Sequence, residues 1–423
     1  MYKFVINGQR KLTGEVEISG SKNAALAIIP ATLLVGGPCE IHCVPDIDDV
    51  KTMIEILVQL GATVEWLTKD NVKIDTSTVN SHTAIDEKSS SIRASCYLLG
   101  ALLGSRKNAL VAPPGGCNLG LRPIDQHLKG FQQMGAISGL VHGAVMLKAE
   151  NLRGSHIYLD VVSVGATINI MLAAVKAEGI TVIENAAKEP HIVDVANFLN
   201  SMGASIKGAG TDVIRIKGVE TLKGGYKHTI IPDQIEAGTF MIAAATTGGD
   251  VLVKNVIPTH MEALVSKLIE LGVNVKEFDD EIRVWVDKPI QKAIVKTLPH
   301  PGFPTDLQPL MTTLLCFAEG TSKVNEGVWD TRFQYVEELK RMGAKIEVMG
   351  RIAVIEGVKC LSGAPIRAHD LRAGAAMVIA GLAAEGTTEV YNVRYIDRGY
   401  QRFVEKLKAL GADIERVEVK EQF

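Results

Sequence analysis

The sequence has no apolar run long enough to cross a membrane, few aromatic residues and little net charge. Of its 423 residues 5% are aromatic, and the formal net charge is -3. A membrane-spanning helix needs about 18 or more consecutive apolar residues, and no run approaches that length. Nucleic acid is not expected as a partner, because neither a basic excess nor aromatic residues for base stacking are present.

The amino terminus lacks the apolar segment and cleavage site of a signal peptide. Its first residues, "MYKFVINGQRKLTGEVEI", alternate apolar and polar side chains as a strand does. We therefore expect a cytoplasmic protein whose six cysteines are reduced thiols. Cys39, His42 and Cys43 stand close together, but "PCEIHCVP" is typical of a strand and no second ligand pair follows at zinc spacing. No metal site is predicted.

A short phrase, an apolar residue followed by glycine and a small residue, occurs six times along the chain. The glycines are 74, 68, 69, 71 and 68 residues apart, at Gly61, Gly135, Gly203, Gly272, Gly343 and Gly411. An amphipathic helical pattern precedes each phrase, as in "DDVKTMIEILVQLGA" and "TRFQYVEELKRMGA", and short alternating strands follow. Each glycine is predicted to end its helix in the left-handed conformation. The chain therefore consists of six repeats of about 70 residues.

Each repeat also contains a second helix that is apolar on every side, such as "GATINIMLAAVKAEG". A helix without a polar face must be buried. Three repeats in each of two domains, with helices inside and sheets outside, would bury all six helices. The orphan strands of residues 1–19 are expected to complete the second domain, so the domains are predicted at 20–229 and at 1–19 plus 230–423, with two chain crossings that suit a hinge.

The amino-terminal ends of the buried helices are rich in cations and small polar residues. The unpaired N–H groups and the dipole at such ends favour anions. Serine, threonine and aspartate are also ordinary N-caps, which is the simpler interpretation for Ser19, Ser163 and Thr305. Capping does not explain Lys22, Arg93 or Arg372, since cations oppose the dipole; bound anions would remove the conflict, and solvated side chains are the alternative.

The loop "PPGGCNLGLRPIDQH" places Cys117 in a segment rich in glycine and proline rather than in a core. A cysteine in such a setting is predicted to be exposed and reactive, and Arg122 or a helix dipole would favour its thiolate. The loop matches neither a phosphate-binding loop nor a dinucleotide fingerprint, and no serine-hydrolase or kinase motif is present. Hydride transfer and ATP-driven chemistry are therefore not expected.

The chain resembles the enolpyruvyl transferase family, in the branch that acts on UDP-N-acetylglucosamine, along essentially its whole length. The matching segments are "GSKNAAL", "IRAS", "PPGGCNLGLRPIDQH", "SVGAT", "PHIVDVANFL", "GFPTDLQ", "TRF", "DLRAGAA" and "IDRGY". The resemblance implies an α/β fold of two inverted, inside-out barrels with the active site between the domains. It also implies addition of the sugar 3′-hydroxyl to phosphoenolpyruvate and elimination of phosphate, the first committed step of bacterial peptidoglycan synthesis. No metal or redox cofactor, membrane or obligate protein partner is implied.

The resemblance also implies roles for individual residues. Cys117 corresponds to the residue that protonates C3 of phosphoenolpyruvate and can hold it as a covalent adduct, and Asp306 to the base that contacts the 3′-hydroxyl. The simpler alternative for Asp306 is an N-cap. Lys22, Arg122 and Arg398 correspond to a cationic clamp on phosphoenolpyruvate. The positions that hold UDP-N-acetylglucosamine correspond to Asn23, Arg93, Arg122, Pro123, Ile124, Asp125, Gln126, Ser163, Val164, Gly165 and Val328.

Three further residues have less specific expectations. Asp370 and Arg372 match positions near the catalytic centre, with phosphate release or domain closure as their roles. His127 either contacts the nucleotide or is a half-exposed histidine on a helix that starts near Ile124. Ile168 stands where many relatives have glutamate, and "VWDTRF" differs from the commoner "FENRF", which leaves open whether this is the main enzyme of its cell or a second copy.

Two rival functions are compatible with parts of the sequence. The sister enzyme 5-enolpyruvylshikimate-3-phosphate synthase shares the fold and phosphoenolpyruvate but lacks a loop like that of Cys117. A non-catalytic sensor of UDP-sugars is the rival from another class. A sensor has no need of both an acid and a base, so the joint presence of Lys22, Cys117, Asp306 and Arg398 favours the transferase.

Overall fold

A computed structural model of the chain describes residues 2–113, 115 and 123–419. These residues divide into two compact units, each with its own hydrophobic core. The first unit contains residues 20–113, 115 and 123–231, and the second contains residues 2–19 and 232–419. The expectation that the two domains share one active site stays a prediction.

Fourteen α-helices occur in the described residues. They are α1 Lys22–Ala31, α2 Asp48–Gln59, α3 Glu87–Ser91, α4 Tyr97–Arg106, α5 Asp125–Gln133, α6 Val164–Ala174, α7 Pro190–Ser201, α8 Gln234–Thr246, α9 Glu262–Glu270, α10 Gln308–Leu315, α11 Val336–Arg341, α12 Leu371–Ala383, α13 Arg394–Asp397 and α14 Phe403–Ala409. None of them is long and apolar enough to cross a membrane.

Twenty-four strands form six sheets of four strands each in the described residues. The strands are β1 Tyr2–Asn7, β2 Thr13–Glu17, β3 Pro38–His42, β4 Thr63–Trp66, β5 Val72–Asp75, β6 Thr83–Ala84, β7 Asn108–Val111, β8 Ile137–Val141, β9 Ala144–Lys148, β10 His156–Tyr158, β11 Ile180–Glu184, β12 Ser205–Lys207, β13 Val213–Lys217, β14 Lys227–Thr229, β15 Asp250–Lys254, β16 Asn274–Glu277, β17 Glu281–Trp285, β18 Ile294–Lys296, β19 Thr321–Asn325, β20 Lys345–Met349, β21 Ile352–Glu356, β22 Pro365–Arg367, β23 Thr387–Tyr391 and β24 Asp413–Glu418.

All six sheets have the same pattern, which confirms the repeats. In each, an outer strand runs parallel to its neighbour and the next two pairings are antiparallel, as in the order β18-β19-β21-β20. In the sheet of order β14-β3-β5-β4, the outer strand β14 pairs in parallel with β3. In the second unit, β2 pairs in parallel with β15, and β1 lies between β23 and β24. Strands from the two ends of a unit's sequence thus meet in one sheet.

The six repeated glycines have positive φ angles, between 83° and 106°, as predicted from their position at helix ends. The apolar helices α1, α6, α8, α10 and α12 are almost entirely buried, as predicted, and in α4 six of the ten residues are buried. In the second unit α8, α10 and α12 pack against one another, and in the first unit α4 packs against both α1 and α6. The amino-terminal ends of these helices carry the candidate site residues.

Candidate functional site

The predicted acid Cys117 and the predicted cation Arg122 lie outside the residues that the structure describes. Their roles stay predictions. The five described cysteines, Cys39, Cys43, Cys96, Cys316 and Cys360, are free thiols. No cluster of three or more histidine, cysteine or acidic side chains with metal-binding geometry occurs among the described residues.

Lys22 is the first residue of α1 and forms a buried ion pair. Its Nζ lies 2.7 Å from Oδ2 of Asp49, in the first turn of α2, and both side chains are buried. Ser21, rather than Ser19, caps this helix by accepting a hydrogen bond from the backbone N–H of Ala24. A protein carboxylate therefore offsets the conflict between the Lys22 cation and the helix dipole. Asp49 was missed in the sequence analysis.

Gln126, in the first turn of α5, is fixed by hydrogen bonds on both sides of its amide. Its Oε1 accepts from the backbone N–H of Asp160 at 2.9 Å, and its Nε2 donates to the Asp160 carboxylate at 3.1 Å and to that of Asp125 at 2.9 Å. Lys129 binds the same Asp160 carboxylate at 2.8 Å. The predicted nucleotide-binding segment thus continues into a rigid helix start. Just before it, Pro123 is exposed and Ile124 is half-buried.

His127 is buried, and the expectation of a half-exposed histidine was wrong. Burial, and then the positive charge of Arg93, lowers the pKa of His127 to about 4, so the imidazole is neutral at physiological pH. A Cβ atom on Gly165 would lie 2.7 Å from Nε2 of His127, which explains glycine there. The buried Nδ1 has no hydrogen-bond partner. The structure therefore brings together Arg93, His127 and the start of α6.

The other predicted nucleotide contacts in the first unit lie at helix starts. Ser163 caps α6 by accepting from the backbone N–H of Ala166 at 3.2 Å, as the capping interpretation predicted. Val164 opens that helix and is half-buried, as is Asn23 in α1. Arg93 is exposed at the start of a short 3₁₀ helix. These side chains are accessible to a ligand, while their backbone is held by helical structure.

In the second unit, Asp306 lies between two arginines. It belongs to the 3₁₀ turn Thr305–Leu307, directly before α10. Its Oδ1 lies 3.2 Å from Nη2 of Arg332, and its Oδ2 lies 3.5 Å from Nε of Arg372. The N-cap positions here belong to Pro304 and Leu307, so the alternative of Asp306 as an N-cap was wrong. Arg332, in the matched segment "TRF", was not assigned a role from the sequence.

Both arginines are buried, with 2% exposure for Arg332 and 4% for Arg372. Each retains a buried N–H donor without a hydrogen-bond partner, Nε in Arg332 and Nη1 in Arg372. Burial lowers the pKa of Arg372, but Tyr400, Asp306 and Asp233 outweigh it and raise that pKa above its usual value. Arg332 and Arg372 thus carry two positive charges, share the Asp306 carboxylate and each have an unused N–H donor. Such a pair can bind a further anionic group.

Asp370 and Arg398, the other residues predicted for the catalytic centre in the second unit, lie at the ends of helices. Asp370 caps α12 and accepts from the backbone N–H groups of Arg372 and Ala373 at 2.8 and 3.0 Å, so it orients the Arg372 backbone. The Arg372 guanidinium lies over the Tyr400 ring, 5.3 Å from its centroid. Arg398, the C-cap residue of α13, is half-buried.

The side chain of Thr305 bonds to Glu326 and does not cap a helix, so the capping interpretation of Thr305 was wrong. Glu326 itself was not among the residues predicted for the site. It is buried directly after β19 and two residues before Val328, which is 37% exposed.

Comparison with known proteins identifies full-length relatives. A model of the EPSP synthase (3-phosphoshikimate 1-carboxyvinyltransferase) family matches residues 6–407. A protein of Caldanaerobacter subterraneus named UDP-N-acetylglucosamine 1-carboxyvinyltransferase 3 is 58% identical over 417 residues, which cover 99% of this chain and 100% of that protein. A protein of Clostridium botulinum named UDP-N-acetylglucosamine 1-carboxyvinyltransferase is 55% identical over 418 residues, with the same coverage.

Two solved structures share the fold. The enolpyruvyl transferase NikO from Streptomyces tendae has a TM-score of 0.90 at 26% identity, with 99% of both chains covered. An EPSP synthase from Acinetobacter baumannii has a TM-score of 0.78 at 21% identity, with 99% of this chain and 100% of that chain covered. Both similarities extend over the whole chain, so they include both units.

Proposed function

Since the chain belongs to the EPSP synthase family of enolpyruvyl transferases, we propose that it transfers the enolpyruvyl group of phosphoenolpyruvate to the 3′-hydroxyl of UDP-N-acetylglucosamine. The structural observation that carries this proposal is the Asp306 carboxylate between Arg332 and Arg372, whose buried donors are not all used. A carboxylate base beside a receptor for an anion is what addition of a hydroxyl group to phosphoenolpyruvate requires.

In the addition step, Asp306 accepts the proton of the acceptor hydroxyl. At the same time, the hydroxyl oxygen forms a bond to C2 of phosphoenolpyruvate. Cys117 donates a proton to C3, which gives a tetrahedral intermediate that still carries phosphate. In the elimination step, the bond between C2 and the phosphate oxygen breaks, C3 returns a proton to the Cys117 thiolate, and the leaving phosphate takes up the proton from Asp306. The net reaction exchanges one C–O bond for another and involves no change of oxidation state.

The cationic residues have separate parts in this proposal. Arg332 and Arg372 bind the carboxylate of phosphoenolpyruvate and hold Asp306, because each guanidinium contacts Asp306 through one nitrogen and has a further buried N–H donor. Lys22, Arg122 and Arg398 bind the phosphate, and Asp49 holds Lys22 in place.

The start of α5, the start of α6, Asn23, Arg93 and Val328 bind UDP-N-acetylglucosamine. Neutral His127 supports Gly165 at the start of α6, where backbone N–H groups favour anions. The product would enter peptidoglycan synthesis, and we propose a cytoplasmic location because both substrates are cytoplasmic metabolites.

The acceptor and the loop cysteine are tested together by phosphate release from phosphoenolpyruvate. We expect release with UDP-N-acetylglucosamine, none with shikimate 3-phosphate, and loss of release in Cys117→Ala. Cys360→Ala is the matched control, since Cys360 is half-buried and remote from the predicted loop in sequence. Release with shikimate 3-phosphate would show a 5-enolpyruvylshikimate-3-phosphate synthase, and no release with either acceptor would favour a UDP-sugar sensor.

A further inference from the structure

Glu326 is a fully buried carboxylate that binds three separate segments of the second unit. Its exposure is 0%. Its Oε1 accepts hydrogen bonds from the Thr297 hydroxyl at 2.9 Å and from the backbone N–H groups of Val328 and Trp329 at 2.8 and 3.1 Å. The Thr305 hydroxyl lies 3.0 Å from both carboxylate oxygens. Such concentration of donors on one buried carboxylate fixes the segments relative to one another.

The loop that begins at Glu326 returns to the same turn at its other end. Arg332, six residues later, binds Asp306, which is the neighbour of Thr305. The loop of residues 326–332 therefore binds two consecutive residues of the 3₁₀ turn: Glu326 at its start binds Thr305, and Arg332 at its end binds Asp306. Gly327 allows this close approach, since a Cβ atom there would lie 2.2 Å from the carbonyl oxygen of Thr297. Loop and turn form one rigid element.

This element carries two of the residues that the proposed function assigns to the acceptor. Asp306 accepts the proton of the sugar hydroxyl, and Val328, 37% exposed, is a predicted contact of UDP-N-acetylglucosamine. The backbone N–H of Val328 is held by Glu326, so the position of this exposed apolar side chain depends on a buried charge. Val328 is bonded to Glu326 through its backbone N–H, and Asp306 directly follows Thr305, whose hydroxyl Glu326 binds.

We infer that Glu326 is a positioning residue for the acceptor, which sets the distance between the nucleotide-sugar contact at Val328 and the base Asp306. This inference rests on the proposed function. Glu326 is buried away from the substrates and acts through Thr305, Val328 and Trp329. Its loss therefore weakens acceptor binding and turnover more than it weakens the binding of phosphoenolpyruvate, because Arg332 at the far end of the loop keeps its own ion pair with Asp306.

The test compares Glu326→Met, Glu326→Gln and the matched control Asp330→Asn. Methionine keeps the length of the side chain and removes both carboxylate oxygens, leaving only a weakly accepting sulfur, whereas glutamine keeps a neutral oxygen acceptor. Asp330 lies in the same loop, but its carboxylate is exposed and binds Arg351 on the surface. Melting temperatures of all variants are measured alongside. If Glu326→Met does not fold, Glu326→Gln and Thr305→Val are judged by the same criteria.

Acceptor binding is read from Trp329 fluorescence in a Trp66→Phe, Trp285→Phe background, which leaves Trp329 as the only tryptophan. We expect the Kd for UDP-N-acetylglucosamine to rise at least tenfold in Glu326→Met and less in Glu326→Gln, with stronger quenching of Trp329 by acrylamide. Alkylation of Cys117 by an epoxide phosphonate without nucleotide should stay within about twofold of the wild-type rate, and Asp330→Asn should match the wild type throughout.

A Kd within about twofold of wild type in Glu326→Met would overturn the inference. The inference would also be overturned if the KM for phosphoenolpyruvate rose, and the nucleotide-free alkylation rate fell, by as large a factor as the Kd for UDP-N-acetylglucosamine rises. Glu326 would then be a general structural residue. Failure of the proposed function gives a different result, which is no phosphate release by the wild type. Acrylamide quenching of Trp329 would still report whether Glu326 holds the loop.

Discussion

Replacing Asp49 with asparagine removes the carboxylate that lies 2.7 Å from the Lys22 ammonium group. The two side chains are 7% and 11% exposed, so solvent screens their interaction weakly. Removing one partner of a buried ion pair typically costs about 3–5 kcal/mol, because the other charge stays in a medium of low dielectric constant. In a unit of this size, each kcal/mol corresponds to about 2–4 °C, so the melting temperature of the first unit should fall by about 6–20 °C.

Asp48 provides a control in the same helical turn, since it is also an aspartate in the first turn of α2 but is exposed. Asp48→Asn should change the stability by less than about 1 kcal/mol, because surface charges contribute little. Thermal and urea unfolding are measured for both variants, for Lys22→Met, and for the double variant Lys22→Met, Asp49→Asn. The double variant should lose at least about 1 kcal/mol less than the sum of the single losses, as expected for residues in contact.

Additive losses, or equal stabilities of Asp49→Asn and Asp48→Asn, would refute this reasoning. Either result would mean that Lys22 does not depend on Asp49 for its charge balance. The proposal that Asp49 presents Lys22 to the phosphate of phosphoenolpyruvate would then fail as well.

Two further predictions concern titration and thiol reactivity. The lowered pKa of His127, about 4 against roughly 6.5 for an unfolded histidine, means that the unfolded chain binds the additional proton first, so stability falls as the pH drops from about 6.5 towards 4. Relative to His127→Gln, the wild type should lose about 2 kcal/mol between roughly pH 7.5 and roughly pH 5 in urea unfolding. Equal slopes for the wild type and His127→Gln would contradict the assignment. Burial raises the pKa of Cys39 and of Cys316 to about 12, so iodoacetamide at about pH 8 should leave both unmodified in the native protein. Peptide mass spectrometry that finds either thiol alkylated before unfolding would contradict this.

The fold could be predicted because its signals recur at a fixed period. Each repeat has a glycine that ends a helix and an apolar helix that must be buried. In the structure all six glycines have positive φ angles, and all six sheets have four strands. The amphipathic helix expected across "TRFQYVEELKRM" is the exception, because α11 is confined to Val336–Arg341. The residues before it form turns, and Arg332 binds Asp306 there instead of continuing the helix. A tertiary ion pair has overridden the local helical pattern.

The partners of the site residues were harder to predict, although one of them had a signal in the sequence. Asp48 and Asp49 are adjacent, but only Asp49 shares a helical face with Met53 and Ile56, both of which are buried. An acidic residue in the apolar phase of a helix must find a positive partner when it is buried, and Lys22 was the cation already in conflict with its own helix dipole. The need of Asp49 for a positive partner and the need of Lys22 for a negative one would together have predicted the Lys22–Asp49 ion pair.

No such periodicity marks Glu326 or Arg332, which lie in an irregular loop. Their roles follow from the closeness of that loop to the 3₁₀ turn Thr305–Leu307, and the nearest residue of that turn, Leu307, is 19 residues away in sequence from Glu326. The sequence shows only that "NEGVWDTR" contains charges of both signs around a glycine. The general rule is that a buried charge on a regular element can be recognised by its phase, whereas a buried charge on a loop is recognised only by its partners. Site residues of the second kind, which set positions without touching a ligand, therefore require the structure.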